Sequence, residues 1–510
     1  MHDRYGALDD ARLAAVEVAR EDRLTRWAVD YLRHAGDKSL AAMLEAAMER
    51  RYSANPTEQF FTGGGLHTFE NFDRADNGKV LSVREGLTHS VNLVFIRLMR
   101  DVVHHYMFQT PGSTARLLED AGDPRRQDYL ARFADREGRE FIRRFYRKYE
   151  GKPGEEMEAT LLQGMRLTPR RLASAYRSIH PDGTTDGYAA LVRKYLPDSA
   201  QDGAALSRLF EQVAPDRMGL ADRGYVAGIH PLELWVVGYR LGHPGATLAQ
   251  TIEASAAERQ AVYVWLTKTH RKNAQDKRIL SLLEVEGFLE IHRHWKRLGY
   301  PFDSLVPSYA TAIGSSADRP AALAELMGII VNGGMRYPTV RVGGFQFAAG
   351  TPYETDLQRP PATGERVLPA EVADTVRSAL IDVVERGTAR RLKGALTGGD
   401  GTPIVIGGKT GTGDHRFNTY DKHGNLVSSR VVNRSATFVF LIGDRLFGTM
   451  TVFVPGPQAA DYDFTSSLPV QVVKTLAPQL AALANAADGT RSCRMPEGRR
   501  SNVGDQGFQR

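Results

Sequence analysis

One stretch late in the chain, Pro403–Gly413, constrains the fold more than any other. Its β-branched run Ile404-Val405-Ile406 predicts a short buried strand. The run leads into two glycines and then into Lys409-Thr410-Gly411. Glycine allows a ligand to approach the backbone closely, and the lysine places one cation at the mouth of an apolar element. The stretch therefore predicts a strand edge that holds a carboxylate or a phosphate.

Composition excludes several kinds of site. The chain has 510 residues, enough for two to four domains, and its 42% hydrophobic and 25% charged residues are ordinary for a globular protein. A net charge of +6 suits an anionic polymer, but the arginines are spread along helix-like stretches, so nucleic-acid binding is not indicated. Cys493 is the single cysteine, which excludes an intrachain disulfide and a cysteine-based zinc site. We expect no metal and no cofactor.

The first residues do not show the basic-then-apolar pattern of a signal peptide. Moreover, no stretch reaches the roughly 18 apolar residues that a membrane-spanning helix needs. We therefore expect this chain, taken alone, to be without a signal or transmembrane segment.

Apolar periodicity and turn signals predict an α+β protein in which an antiparallel sheet is flanked by helices. Ser82, followed three residues later by Glu85, predicts a helix start of the capping-box type. We expect a hairpin within 339–348 and paired strands at 436–442 and 448–454. The predicted segments are 1–103, mostly helical; 104–300, a mostly helical insertion; 301–486, the sheet-bearing part; and 487–510, a disordered tail.

The run Gly408-Lys409-Thr410 also fits the end of a phosphate-binding P-loop, G-x-x-x-x-G-K-[ST], which a helix must follow. The leading glycine of that motif would fall at residue 403, which is Pro403. The residues Gly411–Asn418 are a poor helix start. A P-loop nucleotide binder therefore stays only as a minor alternative.

The other interpretation is a K-T-G motif on a strand, paired with the S-x-N motif Ser90-Val91-Asn92 earlier in the chain. Taken singly, Ser90 fits a plain helix cap and Asn92 fits a turn residue. Only the joint order of the motifs favours a functional role for these two residues. The chain resembles the transpeptidase domain of the bifunctional, class A penicillin-binding proteins over roughly 55–103 and 305–480. Further motifs in the same order are Asn71-Phe72-Asp73, Leu87-Thr88-His89, Asn332-Gly333-Gly334 and Gly387-Thr388-Ala389.

This resemblance implies the fold that penicillin-binding proteins share with serine β-lactamases, with 104–300 as a helical insertion. It implies a D,D-transpeptidase, which transfers acyl groups on peptidoglycan stem peptides ending in D-Ala-D-Ala and binds β-lactams. A membrane anchor and a glycosyltransferase domain are expected upstream, at the extracytoplasmic face of the membrane, with cell-wall synthesis partners on the insertion.

The resemblance also implies roles for individual residues. Ser90 would relay a proton to the leaving group, and Asn92 would orient the substrate amide. Lys409 would supply positive charge near the substrate carboxylate. Thr410 and Thr412 would hydrogen-bond that carboxylate, and Gly411 would keep the strand edge open.

The family's acylating serine belongs to an S-x-x-K motif ahead of S-x-N, and no serine of this chain has a lysine three residues later. We therefore expect no nucleophile in these residues, a fold incomplete on its N-terminal side, and an exposed sheet edge with poor solubility. A gene fragment or mis-assigned start, a divided gene and an inactive domain each account for this. The alternative function is a non-catalytic protein that binds peptidoglycan or β-lactams without chemistry.

Overall fold

The structure, a computed structural model, describes residues 1–486 except 63–64, 110–116, 119, 201, 268–270 and 421–425. The tail predicted for 487–510 lies outside the described residues, as does Cys493. Helices and antiparallel strands are both present, which confirms the α+β class. Among the helices described, none combines the length and the apolar character that crossing a bilayer requires.

The helices are numbered here in chain order, and several begin at side-chain caps such as Asp22 and Ser39. They are α1 His2–Tyr5, α2 Asp10–Ala14, α3 Arg23–His34, α4 Leu40–Met48, α5 Val83–His89, α6 Asn92–Gln109, α7 Arg125–Tyr149, α8 Gly154–Gln163, α9 Pro169–Ile179, α10 Thr185–Tyr195, α11 Gly203–Gln212, α12 Leu220–Ala227, α13 Pro231–Gly242, α14 Leu248–Ala254, α15 Ala256–Val262, α16 Lys272–Arg297, α17 Pro320–Val331, α18 Ala370–Glu385, α19 Ser467–Thr475 and α20 Ala477–Ala486.

The strands form small antiparallel pairs and one three-stranded sheet. They are β1 Arg51–Ser53, β2 Phe60–Thr62, β3 Gly65–His67, β4 Val80–Ser82, β5 Met335–Arg336, β6 Gly344–Phe347, β7 Thr355–Gln358, β8 Glu365–Arg366, β9 Ile406–Tyr420, β10 Leu426–Ile442 and β11 Leu446–Pro455.

The chain divides into two compact units. The sheet unit comprises Met1–His105 and Gly287–Arg510, and the helical unit comprises Tyr106–Glu286. The four-segment division expected from the sequence stays a prediction.

The helical unit contains no strand among its described residues. Its core includes the fully buried side chains of Tyr149, Leu172 and Tyr188. The Tyr149 hydroxyl donates to a carboxylate oxygen of Glu233 at 2.8 Å, so the polar atom in this core is satisfied. These contacts give the helical unit a core of its own. The role that the sequence predicts for this insertion stays a prediction.

The sheet unit is built on β10, which lies between β9 and β11 and runs antiparallel to both. Lys409 of β9 is opposite Val439 of β10, which is opposite Thr449 of β11. The strand pair predicted from 436–442 and 448–454 is therefore present. The K-T-G residues lie within β9, which continues as a strand to Tyr420. A strand therefore stands where a P-loop requires a helix, and the P-loop interpretation is wrong.

Apolar residues of alternating β10 positions pack on opposite faces of the sheet, as the two-residue period of a strand dictates. On one face, Phe438 and Phe440 pack in a cluster that includes Val470 and Val473 of α19. On the other face, Val439 and Leu441 cluster with two buried residues of α17, Met327 and Ile330. The sheet is therefore covered by helices on both faces at the end that carries the K-T-G motif.

The strand expected at Ile404–Ile406 begins only at its last residue. The preceding residues pair instead with the loop before them: Thr397 bridges Pro403, and the Ile404 N–H donates to the Leu396 carbonyl at 3.0 Å. The strand therefore begins later than the apolar run predicts, whereas the interpretation of K-T-G as a motif on a strand is confirmed, because Lys409–Gly411 lie within β9.

The hairpin expected within 339–348 is displaced. The structure pairs β6 with β7, so the reversal lies after 347, where Ala348 and Gly350 have positive φ values of 50° and 75°. A carboxylate oxygen of Glu354 accepts from the Gly350 N–H at 2.9 Å and closes the turn. Glu354 lies four positions after Gly350, and a glutamate at this spacing is not a turn signal in a sequence.

The outer edge of β11 has no strand partner among the described residues. Phe447 and Phe453 on this strand are 42% and 54% exposed. The exposed sheet edge that the sequence predicted is thus present in the described fold, while the poor solubility expected from it stays a prediction.

We expect Phe438→Ala to lower the free energy of unfolding by about 3–5 kcal/mol, because this fully buried ring leaves a cavity when it is truncated. The matched control is Phe453→Ala on β11, whose side chain is 54% exposed, and we expect a loss of about 1 kcal/mol or less. Urea unfolding followed by tryptophan fluorescence measures both. Equal losses would contradict the assigned core.

Candidate functional site

Ser90 is held in a strained conformation between two helices. Ser82 and Glu85 form the predicted capping box at the start of α5, and the helix ends after His89. Ser90 then adopts the left-handed conformation, with φ 59° and ψ 46°. Such a conformation is uncommon for a residue other than glycine and occurs at functional sites when the surroundings impose it. Here it leaves the half-buried Ser90 side chain at the junction between α5 and α6.

Lys409 reaches Ser90 from β9. Its Nζ donates to the Ser90 Oγ at 2.6 Å and to the Thr410 carbonyl at 2.8 Å. The structure therefore brings together two of the three predicted catalytic residues, although 319 positions separate them in sequence.

Burial lowers the pKa of the Lys409 ammonium from its ordinary 10.5 to about 8. Loss of solvent is the cause of this shift. No ion pair of Lys409 with a carboxylate is present among the described residues. At neutral pH the amine is mainly charged, so it presents an uncompensated cation, the property that an anion-binding site needs.

The third predicted catalytic residue, Asn92, is the first residue of α6 and is partly buried. Its side-chain amide donates to the Glu70 carbonyl at 3.0 Å. Asn71, in the earlier motif Asn71-Phe72-Asp73, has a buried side chain. This side chain accepts a hydrogen bond from the Leu93 N–H at 3.0 Å and donates one to the Ala54 carbonyl at 2.8 Å. Asn92 and Asn71 thus tie the 70–71 loop to the start of α6.

The predicted substrate-binding residues differ in exposure and in whether their polar groups are already hydrogen-bonded within the protein. The buried Thr410 hydroxyl is bonded to the Thr388 hydroxyl at 2.6 Å. The Thr412 hydroxyl accepts from the Ser466 N–H at 2.8 Å and keeps its own proton available to donate. Gly411 is exposed, and a Cβ there would meet nothing within 4 Å. The space over Gly411 is open to a ligand.

Thr388 and Ser466 were not among the residues predicted for the site. Thr388 belongs to a motif that the sequence singled out, but its partner Thr410 is 22 positions away. Ser466 contributes a backbone N–H, which no residue type signals in a sequence. As for metals, no group of three His, Cys, Asp or Glu side chains with suitable placement occurs within the described ranges.

The arrangement can bind an anion and move a proton. Lys409 provides the cation, the Thr412 hydroxyl can donate to a carboxylate, and Gly411 leaves room beside the strand. The Ser90 hydroxyl, bonded to the amine, is placed to pass a proton between Lys409 and a group bound in the cleft.

Residues 293–439 match the family model of the penicillin binding protein transpeptidase domain. The matched range includes Lys409, Thr410, Gly411 and Thr412. It covers less than half of the chain, and Ser90 lies before its first residue. No curated protein matches the chain.

Solved structures that match part of the chain include penicillin binding protein 3 of Mycobacterium tuberculosis complexed with aztreonam, at 18% identity over 40% of this chain and 49% of that chain, with a TM-score of 0.26. Penicillin-binding protein A of M. tuberculosis, a ceftriaxone acyl-enzyme complex, has 16% identity over 41% and 48%, with a TM-score of 0.28. A peptidoglycan glycosyltransferase of Burkholderia ambifaria has 17% identity over 40% and 60%, with a TM-score of 0.24. The chain spans about half the length of the first two.

The lowered pKa of Lys409 predicts a pH-dependent stability. Between pH 8 and 10.5 the unfolded chain holds the lysine proton and the folded chain has lost it, so stability rises with pH through this window. We expect the free energy of unfolding of the wild type, relative to Lys409→Met, to rise by about 1–3 kcal/mol between pH 7.5 and 10. Urea unfolding of both proteins at each pH isolates this term. A difference that stays constant with pH would contradict the buried cation.

Proposed function

We propose that the sheet unit is the cleft-forming part of a D,D-transpeptidase domain of the class A penicillin-binding type, and that it binds β-lactams and stem peptides ending in D-Ala-D-Ala. The observation that carries this proposal is the contact between the Ser90 Oγ and the Lys409 Nζ. Two motifs that the family combines, S-x-N and K-T-G, meet there, and within the described part of the chain no carboxylate is paired with the amine. The family match over 293–439 supports the same conclusion.

Lys409 attracts the ligand carboxylate because its amine is half-buried and has no carboxylate partner among the described residues. A charge in a partly desolvated site interacts more strongly with an opposite charge than it does in water. The Thr412 hydroxyl donates to the same carboxylate. Gly411 leaves the strand edge open, so the ligand lies along β9. If a serine from outside these residues supplied the acyl transfer, Ser90 would relay a proton towards the leaving nitrogen, and Lys409 would then return a proton to Ser90.

Acyl transfer through a serine ester requires a nucleophile, and no S-x-x-K serine occurs in the 510 residues. We therefore assign binding, not acylation, to these residues. The acylating serine of a working transpeptidase would come from residues outside them, at the extracytoplasmic face where the family acts. A non-catalytic binding protein is the second candidate, favoured by the same missing motif.

We expect a fluorescent penicillin to bind this chain reversibly and without covalent attachment. Intact-mass spectrometry after incubation should show no added mass, and gel fluorescence should be lost on denaturation. A stoichiometric, denaturation-resistant adduct would show that a nucleophile is present and would contradict the assignment.

We expect Lys409→Met to weaken reversible penicillin binding about tenfold or more, because the substituted residue keeps the stem but removes the charge. The matched control is Lys393→Met, which removes an exposed lysine that pairs with Glu385 at 2.9 Å on the surface. Fluorescence anisotropy titration measures both. Equal affinities for the two variants would contradict the role of Lys409.

A further inference from the structure

Thr388 touches both of the elements that carry the site. It follows α18, and its N–H donates to the carbonyl of Thr88 on α5 at 3.3 Å. Its hydroxyl lies 2.6 Å from the hydroxyl of Thr410 on β9. Ser90 follows α5 by one residue, and Lys409 directly precedes Thr410. One residue thus connects, through two hydrogen bonds, the backbone next to Ser90 with the strand next to Lys409.

The neighbour of Thr388 makes this connection a close one. Gly387 is packed so tightly on α5 that a Cβ built there would overlap the Thr88 carbonyl oxygen. Glycine is the residue that allows two backbones to approach in this way. A salt bridge fixes the same pair of helices further along, because Arg84 of α5 bonds Asp382 of α18 at 3.2 Å. The α5 side of the connection is therefore held by a close backbone approach, a hydrogen bond and a salt bridge.

The β9 side rests on the hydroxyl pair. Thr410 is buried, with a relative exposure of 5%, whereas the Thr388 side chain is exposed. The buried Thr410 hydroxyl therefore takes its hydrogen bond from a residue that contributes little to the core. A substitution at Thr388 can remove this bond without opening a cavity.

We infer that Thr388 is a positioning residue, which holds the β9 edge against α5 and so sets the distance between the Lys409 amine and the Ser90 hydroxyl. An O–H···O or N–H···O hydrogen bond keeps its strength only over a few tenths of an ångström. A strand edge that moves away from α5 by more than that breaks the Lys409–Ser90 contact and admits water to the amine. The importance of this contact for ligand binding rests on the proposed function; the positioning itself does not.

The test compares Thr388→Val, which removes the hydroxyl, with Thr388→Ser, which keeps it. The matched control is Thr402→Val, another exposed threonine of the sheet unit, whose hydroxyl donates to Asp400 at 2.7 Å away from the cleft. The readout is the pH midpoint of Lys409 acetylation, followed by mass spectrometry of the peptide that contains Lys409. A synthetic peptide of the same sequence gives the midpoint of an unburied lysine.

In the wild type, Thr388→Ser and Thr402→Val we expect a midpoint near pH 8. In Thr388→Val we expect it to move up towards 10.5, since water reaches the amine. A rise of one unit lowers the labelling rate at pH 8 about fivefold. If Thr388→Val does not fold, Thr388→Ala takes its place in the comparison with Thr388→Ser.

An unchanged midpoint in Thr388→Val would overturn the inference, and so would an equal shift in Thr402→Val, which would indicate general loosening of the unit. Penicillin anisotropy on the same proteins separates this inference from the proposed function. If neither the wild type nor any variant binds penicillin, while Thr388→Val alone shifts the pH midpoint of Lys409 acetylation, the proposed function fails and the positioning role stands.

Discussion

The contact between the Lys409 amine and the Ser90 hydroxyl is the interaction on which the candidate site depends. A lysine in a partly desolvated site is unfavourable unless a partner compensates it, and here the partners are a hydroxyl and a carbonyl rather than a carboxylate. The chain thus keeps a cation that costs stability below pH 8 and that a bound anion would satisfy. Stability given up at one point of a fold is a common property of functional sites.

The rest of the sheet unit explains how that contact is kept. Phe438 and Val439 fix β10 between two layers of helices, and the part of β9 from Ile406 to His415 pairs with β10 without a register shift. α18 packs beside β9 and closely against α5, through Gly387 and the bonds of Thr388. The two residues of the contact are therefore placed by a core and a helix that contain neither of them. Such support from rigid elements is what holds a site to within a fraction of an ångström.

The parts of this site that sequence predicted are those with local signals. The capping box of α5 needs only Ser82 and Glu85, three residues apart, and the β10–β11 pair follows from two apolar runs around one turn. The parts it could not predict depend on distant partners or on the backbone. Asn92 bonds the carbonyl of Glu70, and Thr412 bonds the N–H of Ser466; neither acceptor nor donor is visible as a residue type. The β9 start was misplaced because Pro403 and Ile404 pair with an earlier loop, a tertiary contact that overrides local propensity.

A double-mutant cycle on penicillin binding determines whether Ser90 and Lys409 act as one unit. Binding is measured by anisotropy for the wild type, Ser90→Ala, Lys409→Met and the double variant. We expect a coupling free energy of about 1 kcal/mol or more, because either substitution alone already breaks the contact. Additive losses, with a coupling within about 0.3 kcal/mol of zero, would contradict it and would leave the two residues as independent neighbours.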